Sequence, residues 1–89
     1  MSVIQRIRQK VQRGEVFFSE HTYDELKADY FTTADAIRAI MNGKVVEKLT
    51  HDARGTRYII LGTSSDGRAI EIVCRFHENG NLMIITGYE

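Results

Sequence analysis

The sequence predicts an α+β domain in which two or three N-terminal helices pack on a three- to four-stranded antiparallel meander. Three observations support this. Apolar residues follow a helical spacing up to Gly43 and alternate as in strands after it. In the second half of the chain, two dipeptides that favour tight hairpin turns, Asp66-Gly67 and Asn79-Gly80, separate the predicted strands. The chain has 89 residues, which suffices for one hydrophobic core, so we expect a single domain over residues 1–89.

Three helices are predicted in the first half of the chain. The first ends at Gly14, and a short strand at Val16–Phe18 follows it. Ser19 is the predicted N-cap of the second helix, and Thr32 begins a third helix that stops at Asn42-Gly43. The expected buried residues, spaced along these three helices, are Val3, Ile4, Ile7 and Val11, then Tyr23, Leu26 and Tyr30, then Ile37, Ile40 and Met41.

Strands are predicted in the second half, over residues 44–49, 57–63, 68–76 and 82–88. Residues 50–56 are polar and contain Gly55, so they are expected to form a loop. Cys74 falls on the apolar face of its strand with Ile72 and Phe76, which indicates a core residue rather than a nucleophile. We also expect antiparallel pairing to bring residues 57–62 and 84–88 side by side.

Composition and charge restrict the classes of function. The apolar fraction is 43% and the charged fraction 27%, as in ordinary soluble domains. Twelve basic and twelve acidic residues balance, so any RNA contact is expected to use a local cluster of cations. No apolar run of about 20 residues and no signal peptide is seen, and one cysteine fits a reducing compartment. We expect a cytoplasmic protein without membrane association. The three histidines are far apart, so no metal site or cofactor is predicted.

Several short motifs follow one another in a set order. They are Ser19-Glu20-His21, Arg57-Tyr58-Ile59-Ile60-Leu61-Gly62, Asp66-Gly67-Arg68 and Ile84-Ile85-Thr86-Gly87-Tyr88. Over residues 17–88 this pattern resembles a widespread family of small bacterial proteins of unknown function, often placed near RelE-type and barnase-like toxins. The resemblance implies a RelE-like fold, endoribonuclease activity, and an antitoxin protein that masks the site.

The resemblance also implies roles for individual residues in a metal-independent endoribonuclease of a toxin–antitoxin system. Such RNA cleavage uses the ribose 2′-hydroxyl as nucleophile and needs a base, an acid and a cation near the phosphate. The implied catalytic residues are His21 as general acid or base, Arg57, Thr86 and Tyr88. The implied substrate-binding residues are Lys27 and Arg68. Family members commonly have an arginine where this chain has Lys27, and lysine lacks the guanidinium's two-pronged phosphate contact.

Each candidate residue also has an ordinary structural interpretation. His21 can cap its helix through Asp24 or Glu25, and Arg57 can be a strand-edge charge that reaches solvent. Arg68 follows a tight turn, and Tyr88 can pack on a helix. Glu71 is predicted to face away from the apolar stripe of its strand. There it serves either as a base on an open sheet face or as the partner of a cross-strand arginine.

A different class of function is a non-catalytic protein-interaction module, or a degenerate toxin that retains the fold without cutting RNA. The zero net charge favours this alternative. In that case the strand Leu82–Tyr88 is an exposed edge that pairs with a partner or with a second copy of the chain.

Overall fold

The computed structural model describes residues 1–51 and 53–89 and has an α+β architecture with three helices and a five-stranded sheet. The elements are α1 (Val3–Gln12), β1 (Val16–Phe18), α2 (Glu20–Ala28), α3 (Thr33–Asn42), β2 (Lys44–Leu49), β3 (Arg57–Thr63), β4 (Ala69–Phe76) and β5 (Leu82–Tyr88). The strand order in the sheet is β1-β5-β4-β3-β2. Asp52, in the predicted loop, lies outside the described residues.

The sheet is mixed, which corrects the prediction of three or four antiparallel strands. Strands β2 to β5 form the expected antiparallel meander. Strand β1 adds a fifth strand and pairs with β5 in parallel, with Val16 opposite Leu82. Two further expectations are wrong for the same topological reason. Strand β4 lies between β3 and β5, so residues 57–62 and 84–88 are not adjacent. Strand β5 is not a sheet edge, because β1 lies along its first half; the edge strands are β1 and β2.

Local sequence explains where the three helices begin. Ser2 and Gln5 form a capping box at the start of α1, and Thr32 and Asp35 form another at the start of α3. The Ser19 hydroxyl accepts the backbone N–H of Thr22 at 3.1 Å, as predicted for the N-cap of α2. These caps satisfy backbone N–H groups that a helix leaves without intrahelical partners.

The core lies between the helices and one face of the sheet, here called the inner face. Its buried strand residues are Ile60, Ile70, Ile72, Cys74, Leu82 and Ile84, and the helices contribute Ile7, Leu26, Ala36, Ala39 and Ile40. Cys74 is therefore a core residue, as predicted.

Helix α3 packs on the sheet through small side chains, unlike the predicted stripe of large ones. Ala36, Ala39 and Ile40 are fully buried, whereas Ile37 and Met41 are half-buried. The reason is close approach to β3. A β-carbon added at Gly62 would lie 2.8 Å from the Cα of Ala39, so the two backbones are nearly in contact.

Helix α2 is shorter than the sequence suggested, and this changes which aromatic residue enters the core. The helix ends at Ala28, and Tyr30 then takes a φ of +61° and is 89% exposed. The chain turns there and buries Phe31 instead. Tyr23 is half exposed and packs against the ring of Phe18, with ring centroids 5.6 Å apart.

The opposite face of the sheet, the open face, is not part of this core. Cross-strand register assigns to it Thr86 and Tyr88 of β5, Glu71, Val73 and Arg75 of β4, and Ile59 and Arg57 of β3. Across residues 1–51 and 53–89, no helix is both long enough and apolar enough to cross a membrane.

Candidate functional site on the open face

A β-bulge in β5 places the last two candidate residues on the open face. Before the bulge, Ile84 pairs with Cys74 and points to the core. After it, Thr86 pairs with Val73 and Tyr88 pairs with Glu71, which leaves Ile85 as the extra residue. Side chains alternate along a strand, so without the extra residue Thr86 and Tyr88 would share the inner face with Ile84. The bulge therefore exposes both polar side chains beside β4.

Helix α2 is fixed to the same strand by hydrogen bonds at the bulge. The backbone N–H of Ser19 and the hydroxyl of Thr22 both donate to the carbonyl oxygen of Ile84, at 3.0 and 2.9 Å. The Ser19 hydroxyl donates to the carbonyl oxygen of Ile85 at 2.9 Å. Thr22 is fully buried, so its hydroxyl needs this partner. These contacts set the position of the helix that bears His21.

His21 and Thr86 are joined through Glu25. The Nε2 atom of His21 lies 3.1 Å from Oε1 of Glu25, one helical turn further along α2. The Thr86 hydroxyl donates a hydrogen bond to the same carboxylate oxygen. The Glu25 side chain is 28% exposed and the His21 side chain 70% exposed. The carboxylate thus orients an accessible imidazole at the rim of the open face.

Tyr88 forms a second polar pair one row away on the same face. Its hydroxyl donates to Oε2 of Glu71, which lies directly opposite on β4. This hydrogen bond and partial burial raise the pKa of Tyr88, and the negative charges of Glu71 and Glu25 raise it further. Tyr88 is therefore a neutral hydrogen-bond donor at physiological pH. The observed partner of Glu71 is therefore this tyrosine, whereas an arginine on a neighbouring strand was one expected alternative.

Arg57 lies at the other end of the open face. It is the first residue of β3, is half-buried, and lies opposite Leu49 of β2. It lines a cavity of about 450 Å³ with Lys48, Leu49, Thr50 and His51. Two strand spacings, about 9.6 Å, separate β3 from β5, so Arg57 does not touch the His21 network directly.

Lys27 and Arg68 lie away from this network. Lys27 is one turn after Tyr23 on α2, about 160° around the helix from Glu25. The Arg68 guanidinium donates to the carbonyl oxygens of Asp29 and Tyr30 at 2.8 and 3.1 Å and lies 4.0 Å from the Phe31 ring centroid. Arg68 thus bonds the carbonyl groups that follow α2, a structural role that its position after a tight turn did not predict. The substrate-binding roles of both residues stay predictions.

Glu25 of α2 and Arg75 of the open face were missing from the predicted site, and Glu71 was predicted only as a possible base or ion-pair partner. Glu25 was considered only as a helix-capping partner of His21. Its position four residues after His21 was the signal that the two side chains could interact on one face of the helix. Glu71 becomes significant through its register with Tyr88, which depends on the bulge. Arg75 shares a face with Glu71 and Val73, which alternation alone indicates.

The arrangement supports acid–base chemistry by side chains. An imidazole, two carboxylates, a hydroxyl and a phenol lie on one side of the sheet, with arginines beyond them. Within the part of the chain that the structure describes, no group of three or more His, Cys, Asp or Glu side chains is placed to hold a metal ion.

The fold and this polar face define a small α+β domain with an acid–base side-chain network at the open face of its sheet. The chain belongs to the family described as a domain of unknown function, DUF4258, whose model matches residues 18–89. The match confirms the resemblance to a family of small uncharacterised domains and includes every predicted site residue. No curated protein and no solved structure matches the chain.

Proposed function

We propose that this protein is a RelE-like, toxin-like endoribonuclease that acts in the cytoplasm and is restrained by an antitoxin protein. The observation that best supports the proposal is the His21–Glu25–Thr86 network, which opens onto the same sheet face as Tyr88 and Arg57. Imidazole is the side chain best suited to move protons near neutral pH. The proposed mechanism relies on side-chain acid–base catalysis and calls for no resident metal.

In this mechanism His21 exchanges a proton with the reacting ribose. As a base it takes the 2′-hydroxyl proton, and that oxygen attacks phosphorus to form a 2′,3′-cyclic phosphate. The bond to the 5′-oxygen of the next nucleotide breaks, and that oxygen leaves with a proton taken from water. Glu25 holds the imidazole through Nε2, so a change of rotamer or an approaching RNA must release that nitrogen, or the reaction uses Nδ1. Thr86 and Tyr88 are hydroxyl donors that can bond phosphate oxygens once their carboxylate partners are displaced.

The arginines of the open face supply the positive charge that the overall composition lacks. Arg57 and Arg75 lie on neighbouring strands, one residue beyond the Tyr58–Cys74 pair. Lys48 and Arg54 line the adjoining cavities. A chain with zero net charge would need a local group of cations to bind RNA, and these side chains would neutralise phosphates and stabilise the charge that develops at the scissile group.

The test is cleavage of single-stranded RNA by the purified protein in the presence of a metal chelator. We expect His21→Ala to lower the single-turnover rate by about 10²- to 10⁴-fold, the usual contribution of one acid–base group. The matched control is His77→Ala, since His77 packs against Phe17 outside the network. Expression of the wild type should arrest growth of a bacterial host. Arrest that persists in a His21→Ala, Arg57→Ala double variant would refute the assignment.

A second candidate is a non-catalytic binding module or degenerate toxin, and one observation favours it. An apolar groove of about 670 Å³ lies between α1, β1 and α3; its lining includes Val11, Val16, Phe18, Ile37 and Met41. Such a groove suits a protein partner. Sizing with multi-angle light scattering, alone and with the co-expressed product of the neighbouring gene, separates the two. A monomer that binds no such product and cleaves RNA would leave only the enzyme.

A further inference from the structure

A polar cavity of about 450 Å³ lies beside the open face and outside the His21 network. It is lined by Ala53, Arg54, Arg75 and Glu78. Two of these four residues are arginines and one is a carboxylate. The cavity is formed where the loop before β3 meets the end of β4, so it lies at the cationic end of the sheet.

Arg75 lies on a strand nearer to the His21 network than Arg57 does. It is on β4, which borders β5, whereas Arg57 is one strand further away. Arg75 lies two residues from Val73, the cross-strand partner of Thr86. Two residues of an extended strand span about 6.6 Å, a distance that a long arginine side chain can bridge.

The surroundings of Arg75 favour an anion. Its side chain is half-buried, and among residues 1–51 and 53–89 the structure shows no hydrogen bond or ion pair to it. A guanidinium has five N–H donors, which can bind an anion that enters the cavity. Arg54 adds a second positive charge to the cavity, and Arg57 lies opposite Arg75 across the strands. Glu78 contributes a negative charge to the lining.

We propose that this cavity is a phosphodiester-binding subsite, in which Arg75 holds a phosphate of the RNA strand next to the one that is cleaved. This inference rests on the proposed function, since it places the same RNA on the open face. Arg75 contacts one phosphate through two N–H groups and fixes the register of the strand relative to His21. Glu78 limits the affinity, because its carboxylate repels the phosphate.

The test is binding of a fluorescein-labelled single-stranded RNA hexamer whose riboses are 2′-O-methylated, so that it cannot be cleaved through the 2′-oxygen. Anisotropy is measured over a series of NaCl concentrations. We expect Arg75→Ala to weaken binding about 10-fold and to reduce the salt slope by about 0.7, the value for one phosphate contact on a single strand. Arg75→Lys should recover only part of the affinity, since lysine lacks the two-pronged contact.

Two further variants make the result interpretable. Glu78→Gln should tighten binding by about 1.5- to 5-fold, the range of one exposed charge interaction, and it reports on the cavity even if Arg75→Ala is poorly folded. Arg13→Ala is the matched control, because it removes an exposed arginine at the end of α1, and its affinity should stay within about 2-fold of wild type.

The outcomes separate the subsite from the proposed function. Affinity and salt slope that are unchanged in both Arg75→Ala and Glu78→Gln overturn the subsite, whether or not the wild type cleaves RNA. A wild type that binds no hexamer at 50 mM NaCl overturns it as well. Binding that depends on Arg75, together with no cleavage of ordinary RNA by the wild type, supports the subsite and refutes the endoribonuclease.

Discussion

Replacement of Gly62 by alanine tests a close backbone-to-backbone contact between β3 and α3. The added β-carbon would lie 2.7 Å from the carbonyl carbon of Ala39 and 2.8 Å from its Cα, and nearer still to its carbonyl oxygen. All three atoms belong to the backbone of α3, which cannot rotate out of the way as a side chain can. The helix and β3 would therefore have to separate by about 1 Å to restore ordinary contact distances.

The cost follows from what that separation disrupts. Ala36, Ala39 and Ile40 are fully buried under α3, and a gap of 0.5–1 Å forfeits about a quarter to a half of their dispersion energy. Overpacking in cores usually costs about 1–3 kcal/mol, and a rigid backbone obstacle places Gly62→Ala near about 3 kcal/mol. The unfolding entropy of an 89-residue domain is about 0.19 kcal/mol/K, so the melting temperature should fall by about 16 °C.

Gly87→Ala is the matched control. Its β-carbon would also enter the core, but its near neighbours are Cδ1 of Ile72 at 3.1 Å and Cδ2 of Leu26 at 3.2 Å. These are ends of flexible side chains, so we expect a change within about 1 kcal/mol, or about 5 °C. Thermal unfolding by circular dichroism measures both variants. A Gly62→Ala protein that melts within 5 °C of wild type, or no lower than Gly87→Ala, would refute the inferred backbone contact.

Three other predictions concern stability and reactivity. Hydrogen bonds from the backbone N–H groups of Thr32 and Ser65 lower the pKa of Asp35 from 3.8 to about 2. The contribution of the ionised Asp35 to the stability of the fold is thus complete well above pH 3.8 and is lost as pH falls through 2. The melting temperature of the wild type should therefore fall between pH 5 and pH 2, and that of Asp35→Asn should fall less. Burial raises the pKa of Cys74 to about 12, so a thiol reagent at pH 8 should label it only at the rate of unfolding. Arg68→Ala should lower the free energy of unfolding by about 2 kcal/mol in urea titrations, and Arg68→Lys should not restore it.

Local signals in the sequence predicted most of the secondary structure. The N-caps at Ser19 and Thr32 and the glycine turns at Gly67 and Gly80 are short-range features, and the structure contains them as expected. Both turn glycines have positive φ angles, which few other residues adopt easily. Prediction failed where the outcome depends on residues distant in sequence. Nothing near Ala39 indicates that it packs on a glycine of β3, and β1 has too few residues to reveal its partner.

The candidate site was predicted as a set of residues but not as an arrangement. His21, Thr86 and Tyr88 were identified, yet Glu25, which joins the first two, was treated only as a possible cap. The missing information is the bulge at Ile85. Simple alternation along β5 would have put Thr86 and Tyr88 in the core with Ile84. Strand β5 begins with four consecutive apolar residues, so its sequence gives no indication that one extra residue reverses the orientation of those after it.

The bulge also explains why α2 and the end of β5 act as one unit. At Ile84 and Ile85 the strand leaves the regular ladder of the sheet. The carbonyl oxygens of these two residues instead accept hydrogen bonds from Ser19, the N-cap of α2, and from Thr22 in its first turn. The same irregularity that turns Thr86 toward Glu25 therefore also anchors the helix that bears Glu25. Any change that straightens β5 would lose the anchor and the network together, because a regular strand directs Thr86 inward and moves these carbonyl groups. The polar site is thus a consequence of one local departure from regular sheet geometry, rather than of separate placements of its residues.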